Sequence, residues 1–158
     1  MKTDFADRYG SWAVIAGASD GLGAEFARQL ARRGINCALV ARRAAKLAEL
    51  AEELRRDFGV EAECHPIDLA AADAGMKLEA IADSVDVGLI VLNAGGDTVG
   101  TAFTRSDLGA WQGLIRRNID TLTAACHMFG TRFAARGKGG IIVVGSDAAL
   151  GGGGRLSI

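Results

Sequence analysis

The chain has few of the residues that staple, kink or anchor a protein. Its 158 residues include one proline, Pro66, and one tyrosine, Tyr9. Tyr9 precedes the first apolar run, so the body of the chain holds no phenol. The three cysteines, Cys37, Cys64 and Cys126, are odd in number and scattered, which excludes a disulfide framework and a paired zinc spacing. Cys64 and His65 are adjacent, but no second Cys/His pair stands at ligand spacing, so no metal site is expected. Cys37 and Cys126 fall in apolar patterns and read as small core residues. Charge of one sign is also missing: 18 Lys and Arg oppose 19 Asp and Glu, a net of -1. That excludes a general binder of nucleic acid or anionic membrane, which needs a basic surplus. No apolar run approaches the ~20 residues of a membrane span. Residues 1–9 are charged and carry no apolar signal core. A soluble protein of a reducing, cytoplasmic setting is the expectation.

With 49% hydrophobic and 23% charged residues, the chain reads as a single globular domain. Short apolar runs alternate with helical patterns. Strands are expected at 12–16, 36–41, 60–67, 87–92 and 140–144, the third less apolar and so at an edge. Helices are expected at 21–33, 43–58 and 71–84, with one long helix over 106–136. Leu22, Phe26, Leu30 and Ala31 mark one side of the first. Leu47, Leu50 and Leu54 mark the second, which Gly59 stops. In the long helix Leu108, Trp111, Ile115, Leu122, Cys126, Phe129 and Phe133 recur at helical spacing. This alternation implies an α/β fold, a doubly wound parallel sheet between helices, three layers in all. Pro66 and the gap at 95–104 mark loops. No linker splits the chain, and the run 151–154 is all glycine, with no side chains to fix it.

After the first strand comes Ala16-Gly17-Ala18-Ser19-Asp20-Gly21-Leu22-Gly23, leading into a helix. Glycines in such a turn permit the tight reversal, let a phosphate approach the backbone, and let helix and strand pack closely. Unpaired N–H groups at the helix start then face the anion. The strand–turn–helix setting makes this a nucleotide site. The segment lacks the Lys-Ser/Thr ending of a P-loop, which argues against an NTPase. Its Gly17-x-x-x-Gly21-x-Gly23 spacing resembles the Thr-Gly-x-x-x-Gly-x-Gly pattern of the short-chain dehydrogenase/reductase family, with Ala16 where threonine is usual.

The second strand ends in Ala41, followed by Arg42 and Arg43, where a carboxylate would bind a ribose diol. Guanidinium groups there suit a 2′-phosphate. NADP(H) is therefore expected over NAD(H), with Arg42 as first candidate, Arg43 as second, and Ser19 adding a hydroxyl. Arg43 could equally be a solvated first-turn residue of its helix. Asp68 and Leu69 resemble the family's adenine-contact position, though an isolated Asp68 also reads as a helix N-cap. Asn93-Ala94-Gly95 resembles the Asn-Asn-Ala-Gly motif, with Leu92 in place of the first asparagine.

The resemblance implies hydride transfer between a nicotinamide and a ketone or secondary alcohol. It implies a serine that holds the substrate oxygen and an asparagine that supports a water-linked proton path. Ser146, in Gly145-Ser146-Asp147, matches the first. Asn118, in Arg117-Asn118-Ile119-Asp120, matches the second. Asn118 falls on the apolar stripe of the long helix, where a buried amide without partners costs ~1–3 kcal/mol, so it needs a hydrogen-bonding task. The family's tyrosine and lysine would fall beyond Ile158, and Tyr9 lies in the wrong place to replace them. The 158 residues are expected to be an N-terminal portion of such an enzyme, lacking the last strands of the full fold and inactive alone. The alternatives are a non-catalytic NADP(H)-binding or sensor module, and an interaction remnant that binds no cofactor. Residues 5–12, with Ser19-Asp20-Gly21, look like the hydroxysteroid and 3-ketoacyl reductase branch, implying a hydrophobic steroid or acyl substrate. The last strand would leave an apolar edge, and the long helix a stripe, which favour a homo-oligomer.

Overall fold

Successive side chains of a strand point to opposite faces, and in the central strand both faces are apolar. Trp12, Val14 and Ala16 face one way, and Ala13 and Ile15 the other; all are buried. Such a strand needs a helical layer on each side. The computed structural model describes residues 5–96 and 99–146. Its elements run α1 (Phe5–Tyr9), β1 (Trp12–Ala16), α2 (Gly21–Ala31), β2 (Asn36–Ala41), α3 (Ala44–Phe58), β3 (Ala62–Pro66), α4 (Ala74–Ser84), β4 (Val87–Leu92), α5 (Leu108–Ile115), α6 (Thr121–Arg136) and β5 (Gly140–Val143). The five strands form one parallel sheet in the order β3-β2-β1-β4-β5. The α/β doubly wound architecture is as expected, with β3 at one edge and β5 at the other.

One core layer joins Ala13, Ile15, Cys37, Leu39 and Val91 to α2 and α3. The other joins Val14, Val40, Ile90 and Leu92 to α4 and α6. In α3 the buried positions are Leu47, Leu50, Ala51 and Leu54, and Gly59 ends the helix in the left-handed conformation. Each fully buried leucine contributes roughly 1.5–3 kcal/mol relative to exposure. Among the described residues, no helix is long and apolar enough to cross a membrane.

Several local expectations change. The inner face of α2 is Gly23, Ala24, Ala27, Leu30 and Ala31, while Leu22 is 65% exposed and Phe26 only half-buried. Close packing of α2 on β1 admits only small side chains near its start, which turns Leu22 outward. Helix α4 begins at Ala74 rather than 71, because 68–73 form turns. Cys37 is buried, but Cys126 is half-buried. The stretch expected as one long helix over 106–136 follows a 3-10 turn, Phe103–Arg105, becomes helical at Leu108, and is interrupted by a π-helical turn, Arg116–Asp120, between α5 and α6. Apolar spacing is blind to such an insertion, because it adds one residue without breaking the helix.

Helix α1 went unread in the sequence, since five residues are too few to show a period. It lies at the N-terminal end of the sheet. A Cβ on Gly88 would overlap the Tyr9 carbonyl, and one on Gly140 would stand 3.0 Å from the Tyr9 ring. The β1–β4 register shifts at this point, which marks a bulge at Gly88. Pro66 closes β3 at the sheet edge, where its missing N–H leaves no ladder bond unmade. The glycine run 151–154 and Asp147 lie outside the described residues.

Candidate functional site

The chain builds β1, β2 and β3 outward on one side, then returns to place β4 beside β1. Connections leaving β1 and β4 therefore diverge, which opens a crevice at the C-terminal ends of these strands. Gly17, the first residue after β1, has φ +87°, and a Cβ there would stand 2.8 Å from the Ala94 nitrogen. Gly23, in the first turn of α2, would drive a Cβ into the Gly17 carbonyl oxygen and to 2.8 Å from Asn93 Nδ2. Asn93 stitches the floor together: its backbone N–H donates to Ala16 O at 3.0 Å, and its Nδ2 donates to Gly17 O at 3.4 Å.

A cleft of about 420 Å³ opens above this floor. Gly17 and Ser19 line it from the turn after β1, Ala41, Arg42 and Arg43 from the end of β2, and Ile67, Asp68 and Leu69 from the end of β3. Asn93, Ala94 and Gly95 line it after β4, and Arg117 closes it from the π turn. Asp20, Gly21, Leu22 and Gly23 stand beside it in the turn and at the start of α2. The residues that the sequence analysis assigned to a cofactor thus come from the ends of four separate strands into one place.

The β2 rim is cationic. Arg43 spans to the glycine-rich turn. Its Nε and Nη2 donate to the Ser19 hydroxyl at 3.3 and 3.1 Å, and Nη2 also donates to the Asp20 carboxylate at 3.1 Å. Arg43 stands one position before α3, and its side chain, 54% exposed, bonds the glycine-rich turn while staying open to solvent. Arg42 lines the cleft but makes no hydrogen bond or ion pair with any described residue. Asp20 caps α2 by accepting from Gly21 N at 2.8 Å. The Arg43 guanidinium, then the Gly21 N–H, hold its carboxyl below the ordinary carboxylate range. Asp68 accepts from Ala70 N at 3.0 Å within a turn, so it caps no helix.

The π turn joins the two loops that frame the cleft. Arg116 Nε donates to Ala70 O at 3.0 Å, and the buried Thr121 hydroxyl donates to Leu69 O at 2.9 Å. Arg117 Nη2 donates to Gly96 O at 2.5 Å, and its Nε to Asn118 Oδ1 at 3.4 Å. Asn118 is half-buried rather than sealed in the apolar stripe, with its Oδ1 turned toward Gly95. Sequence reading missed Arg116, Arg117 and Thr121. The one visible signal was two arginines interrupting the apolar spacing. Ser146 is exposed and follows β5, where Val144 N donates to Leu92 O at 3.0 Å. It shares the C-terminal end of the sheet with Asn118. Tyr9 sits at the other end, a strand length away.

Glycine contacts that exclude side chains from the floor, N–H groups at the start of α2, and guanidinium groups on one rim fit an extended, anionic dinucleotide. A smaller hollow of about 290 Å³ lies between β3 and α4. Its polar groups are already matched: His65 with Glu63, Lys77 with Asp73, and the Ser84 hydroxyl with Ile81 O.

Known proteins resemble this chain. The chain is 32% identical over 143 residues to a 7beta-hydroxysteroid dehydrogenase of Clostridium sardiniense, covering 90% of this chain and 54% of that protein. It is 36% identical over 147 residues to a very-long-chain 3-oxoacyl-CoA reductase of Laccaria bicolor, covering 91% of this chain and 44% of that protein. A short-chain dehydrogenase of Sphingobium yanoikuyae, solved in complex with NADPH, superposes with a TM-score of 0.83 at 31% identity, over 89% of this chain and 55% of that one. The chain thus spans about half the length of the relatives it matches. The sequence profile of the short chain dehydrogenases matches residues 11–158, the whole sheet included. A match of that extent, on a fold whose glycine turn is shaped by contact, makes the chain a member of the short chain dehydrogenase family.

Proposed function

We propose that this chain is the dinucleotide-binding part of an NADP(H)-dependent oxidoreductase acting on a ketone or secondary alcohol. The observation that carries the reading is the cleft at the β1–β4 switch point, with its Gly17–Gly23 floor and its Arg42–Arg43 rim. When bound, a nicotinamide cofactor supplies or accepts a hydride. The chain's own residues do the rest. Gly17 and Gly23 keep the floor clear, Gly21 takes the left-handed turn into α2, and the α2 start presents N–H groups to the pyrophosphate. Arg42, Arg43 and Ser19 recognise a 2′-phosphate. Asp68 and Leu69 bound the adenine side, and Asn93, Ala94 and Gly95 hold the opposite wall. Ser146 orients the substrate oxygen, and Asn118 anchors water on the proton path. The names of the two relatives favour a hydrophobic substrate of steroid or acyl type.

A second reading concerns these 158 residues alone. The single tyrosine packs against the N-terminal ends of β4 and β5, away from Ser146. The chain by itself then binds NADP(H) without turnover. Calorimetric titration tests both readings. NADPH should bind at least about tenfold tighter than NADH, the scale of one well-made charge-assisted contact. Equal or tighter NADH binding sinks the phosphate assignment, and a Ser146-dependent turnover by this chain sinks the binding-only reading.

A further inference from the structure

We propose that Asp20 tunes the preference of this site between phosphorylated and unphosphorylated cofactor, by competing with the 2′-phosphate for Arg43. The inference rests on the dinucleotide reading above and assigns a specificity role to a residue of the glycine-rich turn. The two arginines on the β2 rim are not equivalent. Arg42 has no hydrogen-bonding or ionic partner among the described residues. Arg43 is occupied, and among the described residues the one anion on it is the Asp20 carboxylate, 3.1 Å from Nη2. Both side chains are largely exposed, 54% for Arg43 and 79% for Asp20. Exposed ion pairs are weak, so an arriving phosphate dianion can take Arg43 at small cost.

Asp20 does not leave when that happens. Its Oδ1 accepts from Gly21 N at 2.8 Å as the cap of α2, independently of Arg43. A fixed carboxylate therefore remains on the rim, beside Arg43, which it had been touching, and one residue along the chain from Ser19, which Arg43 also bonds. It repels a 2′-phosphate and has no such conflict with a neutral ribose diol. The helix cap and the anionic filter are one side chain. Asparagine separates the two roles, because it caps a helix about as well as aspartate and carries no charge.

The test is calorimetric titration of the 158-residue chain and its Asp20→Asn variant with NADPH and with NADH. Removing one charge at the rim should raise the NADPH-to-NADH affinity ratio by about three- to tenfold at low salt, and by less as salt rises. In an Arg43→Gln background the same change should raise the ratio by less, because competition for the arginine is gone and only the direct repulsion of the phosphate remains. A ratio that falls or stays level in Asp20→Asn overturns the inference and leaves the cofactor reading standing. A gain undiminished without Arg43 overturns competition for that arginine. If neither protein binds either dinucleotide, the cofactor reading falls and this one falls with it. Asp20→Ser, which also caps a helix, serves as a second neutral variant, with the thermal midpoint as a check on folding.

Discussion

At position 23 the fold leaves no room for a methyl group. The ideal Cβ would overlap the Gly17 carbonyl and crowd Asn93 Nδ2 at 2.8 Å. Relief requires α2 to move off β1, and overpacking of this kind costs about 1–3 kcal/mol. Gly23→Ala should therefore lower the free energy of unfolding in denaturant by that amount and weaken NADPH binding at least about tenfold, because the floor of the cleft moves with α2. Unchanged binding would show that the floor does not shape the site. Gly21 differs: nothing lies within 4 Å of its would-be Cβ, and only its φ of +51° calls for glycine. Two residues of one motif are thus held by different forces, contact for Gly23 and backbone conformation for Gly21. Cys37 shows burial acting on a single group. Loss of water pushes its thiol up to about 12, so it is a core residue and no thiolate at neutral pH.

At the scale of elements, the π turn is the connector of the site. Its arginines and Thr121 reach the loops after β3 and β4, so three segments distant in sequence are tied together. Thr121 is the one buried polar residue among those described, and its hydroxyl is matched only by Leu69 O. Thr121→Val keeps the shape and removes the donor. It should cost about 1 kcal/mol in denaturant unfolding and loosen the loop that carries Asp68 and Leu69. Faster amide exchange across residues 68–73, with α3 unaffected, would report that coupling. Uniform exchange would assign Thr121 to packing alone. Edge strand β5 makes a different use of its apolar residues. Ile141, Ile142 and Val143 are between about a third and a half exposed. Among the described residues β5 pairs only with β4.

At the scale of the molecule, an arginine ties the helices of each layer. Arg28 of α2 holds Glu53 of α3 at 2.6 Å, and Arg132 of α6 holds Asp83 of α4 at 2.6 Å. The Arg28 guanidinium draws the Glu53 carboxyl below its ordinary 4.5, and Lys77 and Arg56 do the same for Asp73 and Asp57. Each folded carboxyl thus titrates lower than its unfolded counterpart. The stability it contributes is present above the unfolded value and is lost as pH falls through the folded one. The thermal midpoint should hold steady between roughly pH 5 and 8 and drop below about pH 4.5. Glu53→Gln should flatten part of that drop, by a modest amount because the pair is a third exposed. An acid limb identical in the variant would remove Glu53 from the account. Cys37 acts at the other extreme: raised from 9.0 to about 12, it withdraws stability as pH rises between those values.

The order of strands and helices, both apolar faces of β1 and the glycine turn were legible in the amino-acid sequence. Each rests on local spacing: alternation in strands, three- and four-residue steps in α3, glycines set before a helix. The position of β3 at an edge was legible too, from its weaker apolarity. What tertiary structure alone decided depends on contacts between distant segments. Leu22 turned outward because α2 packs on β1 through Gly23. Asp68 entered a turn because α4 starts late. Asn118 left the apolar stripe because a π turn, invisible to apolar spacing, aims its neighbours at two loops. The relation between Arg42 and Arg43 was decided in the same way. As adjacent residues they are alike in sequence, yet only Arg43 meets Ser19 and Asp20, more than twenty positions away. Electrostatic attraction across the cleft selects between them, and no local pattern encodes it.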